Sequence, residues 1–91
     1  MKTLHAVIQG RVQGVGFRYF VEEKGRHLGL NGWVRNLRNG QVEVLASGEE
    51  EEISLLLSAL KRGPGLAKVT HVEVDWSESP SDEPFHVRST Q

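Results

Sequence analysis

Asn39-Gly40 separates two short runs of strand-forming residues, 33–38 and 41–46. An Asn-Gly pair in that setting is the strongest short-range signal for an antiparallel hairpin, because both residues tolerate the left-handed backbone that a tight reversal needs. A strict two-residue turn sets Leu37 opposite Val42 and Asn36 opposite Glu43. A longer loop shifts that register and exchanges the faces.

Helical patterns flank the hairpin on both sides. Over 18–28, Phe17, Phe20, Val21, Lys24 and Leu28 share one broad face. Lys24, Arg26 and His27 suit the negative end of that helix, and Gly29 follows as its C′ residue. Gly25 sits inside the pattern at a cost of about 1 kcal/mol relative to alanine, so it reads as a close-packing point or a weak spot. Beyond the hairpin, Ser47-Gly48-Glu49-Glu50 has the spacing of a capping box, with the serine as cap. Ile53, Leu56, Leu57 and Leu60 then form an i, i+3, i+4, i+7 stripe, and Gly63-Pro64 ends it behind Lys61 and Arg62.

A first strand, 4–12, precedes these elements. A fourth follows them, where Val72, Val74 and Trp76 alternate with His71, Glu73 and Asp75. Residues 77–84 form a polar loop, and Phe85 and Val87 suggest a short final strand at an edge. The order β-α-β-β-α-β is the split βαβ arrangement of an α+β, ferredoxin-like α/β sandwich, with two helices packed on one face of an antiparallel sheet. A chain of 91 residues suits one such domain, 1–91. In this topology the first two strands are parallel with another inserted between them. The loop after the first and the end of the second then lie at one edge, about 10 Å apart. Residues 13–18 and the vicinity of Asn36 can share a site.

That loop, Gln13-Gly14-Val15-Gly16-Phe17-Arg18, leads directly into a helix start. Backbone N–H groups freed by Gly14 and Gly16 can cradle an anion, and Arg18 supplies a fork suited to phosphate. The spacing is neither that of the Walker loop nor that of the dinucleotide fingerprint, and the same residues also suit a purely structural turn. Elsewhere the chemistry is sparse. There is no cysteine, so no thiolate nucleophile, disulfide or zinc-cysteine site is available. The four histidines lack metal-ligand spacing. Glu49 to Glu52 is best read as dipole complementation in a helix first turn, and Trp33, Trp76 and Phe85 as core or sheet-face residues. A phosphate cradle without nucleophile, base or metal suits a substrate that is already activated. An acyl phosphate releases a weakly basic carboxylate, so no strong general acid is required.

Two signatures, Gly10-Arg11-Val12-Gln13-Gly14-Val15-Gly16-Phe17-Arg18 and Gly32-Trp33-Val34-Arg35-Asn36, closely resemble those of the acylphosphatases. Leu28-Gly29-Leu30, Asn39-Gly40, Val42-Glu43 and Phe85-His86-Val87-Arg88 extend the resemblance over nearly the whole chain. It implies a ferredoxin-like sandwich that hydrolyses acyl phosphates to carboxylate and inorganic phosphate, without metal or organic cofactor. It implies that Arg18 and the loop amides from Gln13 to Arg18 (Gln13, Gly14, Val15, Gly16, Phe17) bind the substrate phosphate. It further implies that Asn36 orients the attacking water, that the substrate's own phosphate accepts the proton, and that no phosphoenzyme forms. Two features depart from the family pattern: Gly25, where a helix former is expected, and the tail Ser89-Thr90-Gln91, which lacks an aromatic ending.

Two other readings share the element order. An RNA-recognition module presents paired aromatics on central strands beside basic residues. The first and third strands here have no aromatic, and the formal net charge is −1. A non-catalytic binder of acyl or carbamoyl phosphate would keep the loop without turnover. The expected setting is a cytoplasmic monomer, with inorganic phosphate as product and inhibitor and with no nucleic-acid or membrane partner, since no run approaches the roughly 20 apolar residues of a bilayer span.

Overall fold

The computed structural model describes residues 1–91. Its elements follow in the order β1 (Lys2–Arg11), α1 (Phe17–His27), β2 (Asn31–Asn36), β3 (Val42–Gly48), α2 (Glu50–Arg62), β4 (Lys68–Ser77) and β5 (His86–Val87). Lateral strand order is β4-β1-β3-β2-β5. β3 is antiparallel to both β1 and β2, which makes β1 and β2 parallel and separates them by one strand. The expectation of a wholly antiparallel sheet needs one correction: β5 runs parallel to β2, so the sheet is mixed. The chain reaches β5 from the far edge through a long loop, and that route returns it in the direction of β2.

Period-two alternation sorts the strands into two faces. Leu4, Ala6, Ile8, Val34, Val42, Val44 and Ala46 are wholly buried beneath the helices. From α1 come Phe17 and Val21, and from α2 Ile53, Leu56 and Leu60, completing one core cluster. The other face carries His5, Arg35 and Glu43. Trp33 lies there as well, covered by the Arg35 and Arg88 guanidinium groups at 4.6 and 4.7 Å from its ring. Trp76 is no core residue: it is 53% exposed at the β4 edge, with Lys2 over its ring.

Long-range contacts overruled one local signal and settled another. Ser47 does not cap α2. It belongs to β3, and its hydroxyl is bonded to the Thr3 hydroxyl at 2.7 Å and to the Ser81 N–H at 2.8 Å. The cap position falls to Glu49, without a side-chain hydrogen bond. Gly25 proves to be a close-packing point, since a Cβ there would stand 2.6 Å from the ring of Phe85, itself buried. The C-terminus of α1 behaves as its sequence indicates. Gly29 is left-handed, Leu30 N–H reaches the Gly25 carbonyl and Gly29 N–H that of Arg26, the paired bonds of a Schellman motif.

The hairpin turn is a residue longer than the shortest Asn-Gly reversal. Leu37 N–H donates to the Gln41 carbonyl at 2.8 Å and Gly40 N–H to that of Leu37 at 3.1 Å, with Gly40 at φ +95°. These bonds describe a type I turn closed by a left-handed glycine. Asn36 consequently pairs with Val42, and Glu43 with Arg35. Cross-strand partners share a face. The shorter turn would have set the Glu43 carboxylate beside Asn36; the observed one sends it to the opposite side of the sheet.

Candidate active site

At the edge where β1 and β2 both end, a cleft of about 220 Å³ is lined by Val12, Gln13, Gly14, Gly16, Phe17, Arg18, Tyr19 and Asn36. It is smaller than a drug-sized pocket, and its scale suits a compact anion. Of the residues expected there all but Val15 line the cleft; the Val15 side chain packs against the core, while its expected contribution is a backbone N–H. Val12 and Tyr19 are additions. Tyr19 is 72% exposed at the rim, and helical spacing alone puts it on the outward face of α1, so its place beside the loop depends on how the helix begins.

Backbone conformation shapes the loop. Gly14 and Gly16 have φ of +74° and +76°, a region costly for residues with a Cβ. The N–H groups of Gly14, Val15 and Gly16 donate no hydrogen bond within the chain, and the first helical bond runs from Phe20 N–H to the Gly16 carbonyl. Gly16 is the N-cap of α1 and offers no side-chain cap, while the first turn contains no acid. The unpaired donors of a helix start are thus left uncovered beside the cleft, with the positive end of the dipole behind them.

Arg18 is half-buried and makes no ion pair or side-chain hydrogen bond within the chain. Asn36 approaches from the opposite wall. It shares the helix-facing side of β2 with Val34, and its backbone is held by pairing with Val42 and by the bond from Gln91 N–H at 3.0 Å. The nearest strand carboxylate, Glu43, is turned away and engaged by His5 at 2.7 Å and Arg35 at 2.6 Å. Burial pushes the Glu43 carboxyl up, but the hydrogen bonds and charges of His5 and Arg35 outweigh it and hold the group below its usual range. No group of three or more His, Cys, Asp or Glu residues has metal-holding geometry. No helix is long and apolar enough to cross a membrane. The cleft therefore presents the Arg18 cation, uncovered backbone donors and the neutral amides of Gln13 and Asn36.

The acylphosphatase family model matches residues 4–87. The chain belongs to the acylphosphatase family. An acylphosphatase of Thermus thermophilus is 49% identical over 96% of this chain and 99% of its own length. One from Pseudomonas paraeruginosa is 56% identical over 79% of each chain. Among solved structures, acylphosphatase from Bacillus subtilis superposes with a TM-score of 0.93 at 39% identity, covering 97% of this chain and 99% of that one. The five-stranded sheet with two helices on one face is thus the acylphosphatase form of the ferredoxin-like sandwich.

Proposed function

We propose that the cleft hydrolyses acyl phosphates through Arg18 and Asn36. The Arg18 guanidinium and the loop N–H groups from Gln13 to Arg18 hold the phosphoryl oxygens, where charge gathers as the bond to the leaving group lengthens. Asn36 orients a water for in-line attack on phosphorus. The water oxygen forms the new P–O bond, the P–O bond to the acyl oxygen breaks, and its electron pair leaves on the carboxylate. The proton released by the water passes to a phosphate oxygen. A carboxylate whose acid has a pKa near 4 departs without protonation, so no general acid is needed. Positioning and electrostatics supply the acceleration.

One observation carries the reading: Arg18 and Asn36, from separate elements, line one cleft with the unpaired N–H groups of a left-handed glycine loop. Arg18, Asn36 and the loop N–H groups all belong to one chain, so the proposal requires no second subunit. The same proposal makes inorganic phosphate a competitive inhibitor and puts the enzyme in the cytoplasm, a setting consistent with a cysteine-free chain. The decisive experiment is hydrolysis of an aryl acyl phosphate in the presence of a chelator. Turnover should survive chelation, and Arg18→Ala and Asn36→Ala should each lower kcat/KM by about 10²–10³. Full activity in both folded variants would remove the site assignment, and strict metal dependence would remove the mechanism. Phosphate binding without turnover would make the cleft a receptor rather than a catalyst.

A further inference from the structure

We infer that the Gln13 side chain is a positioning residue for this reaction, a clamp that sets the phosphate loop against the strand end carrying Asn36; the inference rests on the function proposed above. The ladder between β1 and β3 stops at Ile8 and Val42. Beyond that rung the chain runs on toward the loop with no sheet bond to the hairpin. Gln13 supplies the missing tie. Its Nε2 donates to the Leu37 carbonyl at 2.7 Å and to the Gln41 carbonyl at 2.8 Å. No other hydrogen bond joins residues 12–16 to 36–41.

The hairpin does not need Gln13 for its own closure. Leu37 N–H already reaches the Gln41 carbonyl, Gly40 N–H that of Leu37, and Gln41 N–H the Asn39 side chain. Each of the two carbonyls therefore uses one lone pair inside the turn and the other on Gln13. Both protons of a primary amide are consumed, one per carbonyl. Methionine fills the same length without a donor, glutamate offers no second proton, and asparagine falls one methylene short. Leu37 directly follows Asn36, so the clamp acts on the residue next to the one that holds the water. Arg18 lies at the other end of the same loop. Gln13 thus governs the separation between the phosphate and its attacking water, a distance for which an error of about 1 Å can cost on the order of 10²-fold in rate.

The test is a double-mutant cycle on kcat for an aryl acyl phosphate, with Gln13→Met alone, Asn36→Ala alone and the two combined, each verified as folded by thermal melting. A clamp working through Asn36 predicts that Gln13→Met lowers kcat by about 10–100-fold. The inhibition constant of inorganic phosphate should meanwhile move by less than about threefold, because the loop amides remain. In the Asn36→Ala background the further loss should shrink to less than about threefold, since there is no longer a positioned water to misplace. Equal losses in both backgrounds, a weakened phosphate affinity that accounts for the loss, or an unchanged kcat each overturn the clamp. Should Gln13→Met fail to fold, Gln13→Asn, which keeps the donors at shorter reach, carries the same cycle with the same pattern expected. A wild-type chain without turnover, or full turnover in Asn36→Ala, overturns the parent reading and the clamp with it. Turnover that depends on Asn36 but ignores Gln13→Met overturns the clamp alone.

Discussion

The two helices of this protein begin in opposite ways. α2 places Glu50, Glu51 and Glu52 in its first turn, so its own carboxylates answer the positive end of its dipole. α1 has no acid in its first turn, a left-handed glycine instead of a side-chain cap, and Arg18 adding a second positive charge. As a helix start, α1 is the weaker of the two. What it gives up in local stability leaves uncovered donors and a cation at its start, where the proposed function places the phosphate. Stability withheld at a functional site is a familiar exchange.

Reversing that arrangement is the strongest way to break the comparison. Tyr19→Glu gives α1 the first-turn acid it lacks, which should stabilise the helix by about 0.3–1 kcal/mol. The same carboxylate would enter the cleft wall, so kcat/KM should fall by about tenfold or more. Melting temperature and kcat/KM are expected to move in opposite senses. In α2 the counterpart Glu51→Gln should lose a similar 0.3–1 kcal/mol, on the order expected for a dipole contact, with turnover unchanged. If both variants shift activity alike, the division between the two helix ends is wrong.

A second substitution separates the stability of α1 from its anion end. Gly25→Ala improves helix propensity by about 1 kcal/mol but drives a Cβ to 2.6 Å from the buried Phe85 ring. Overpacking typically costs about 1–3 kcal/mol. A net loss of stability in denaturant titration, with phosphate inhibition unaltered at 25 °C, is the expected outcome. A more stable variant would show that Phe85 has room to move.

The smallest effect concerns a carboxylate that the register keeps off α1. Glu43 is held below the usual glutamate pKa of 4.5 by His5 and Arg35. Its contribution to stability is therefore complete above that value and is lost as pH falls through its lower folded value. Glu43→Gln should flatten the acid limb of the stability profile while leaving phosphate binding at neutral pH unchanged. An acid limb identical to wild type would mean that the pair contributes nothing measurable, as many partly exposed ion pairs do.

The elements were legible wherever local patterns carried them. The Ile53, Leu56, Leu57 and Leu60 stripe, the left-handed Gly29 and the reversal at Asn39-Gly40 all depend on neighbours within a few positions. Ser47 was misread because two partners compete for its hydroxyl, and Thr3 and Ser81 lie far outside any capping window. Gly25 remained ambiguous because the ring that occupies its missing side chain belongs to Phe85, at the other end of the chain. Within the site, the chemistry of the glycine loop and Arg18 allowed an anion cradle or a structural turn, and the family resemblance favoured the first. Asn36 stood out only through the family resemblance, since an asparagine ending a strand has no distinctive spacing. Tyr19 and the Gln13 side chain gave no signal, because a rim residue and a cross-loop donor are defined by what lies opposite them.

By itself, then, the sequence determined the order of elements, the hydrophobic face of each helix and the presence of a glycine loop leading into a helix start. These follow from propensity, periodicity and backbone freedom, which act over a turn or two of chain. Tertiary structure decided what that loop would face. It chose the longer hairpin turn, set Val42 rather than Glu43 beside Asn36, and turned the Gln13 amide onto the Leu37 and Gln41 carbonyls. Register is settled by which side chains can be buried together across the sheet, and that sum includes strands far apart in sequence. A shift of one residue would have put a carboxylate where the phosphate is proposed to bind.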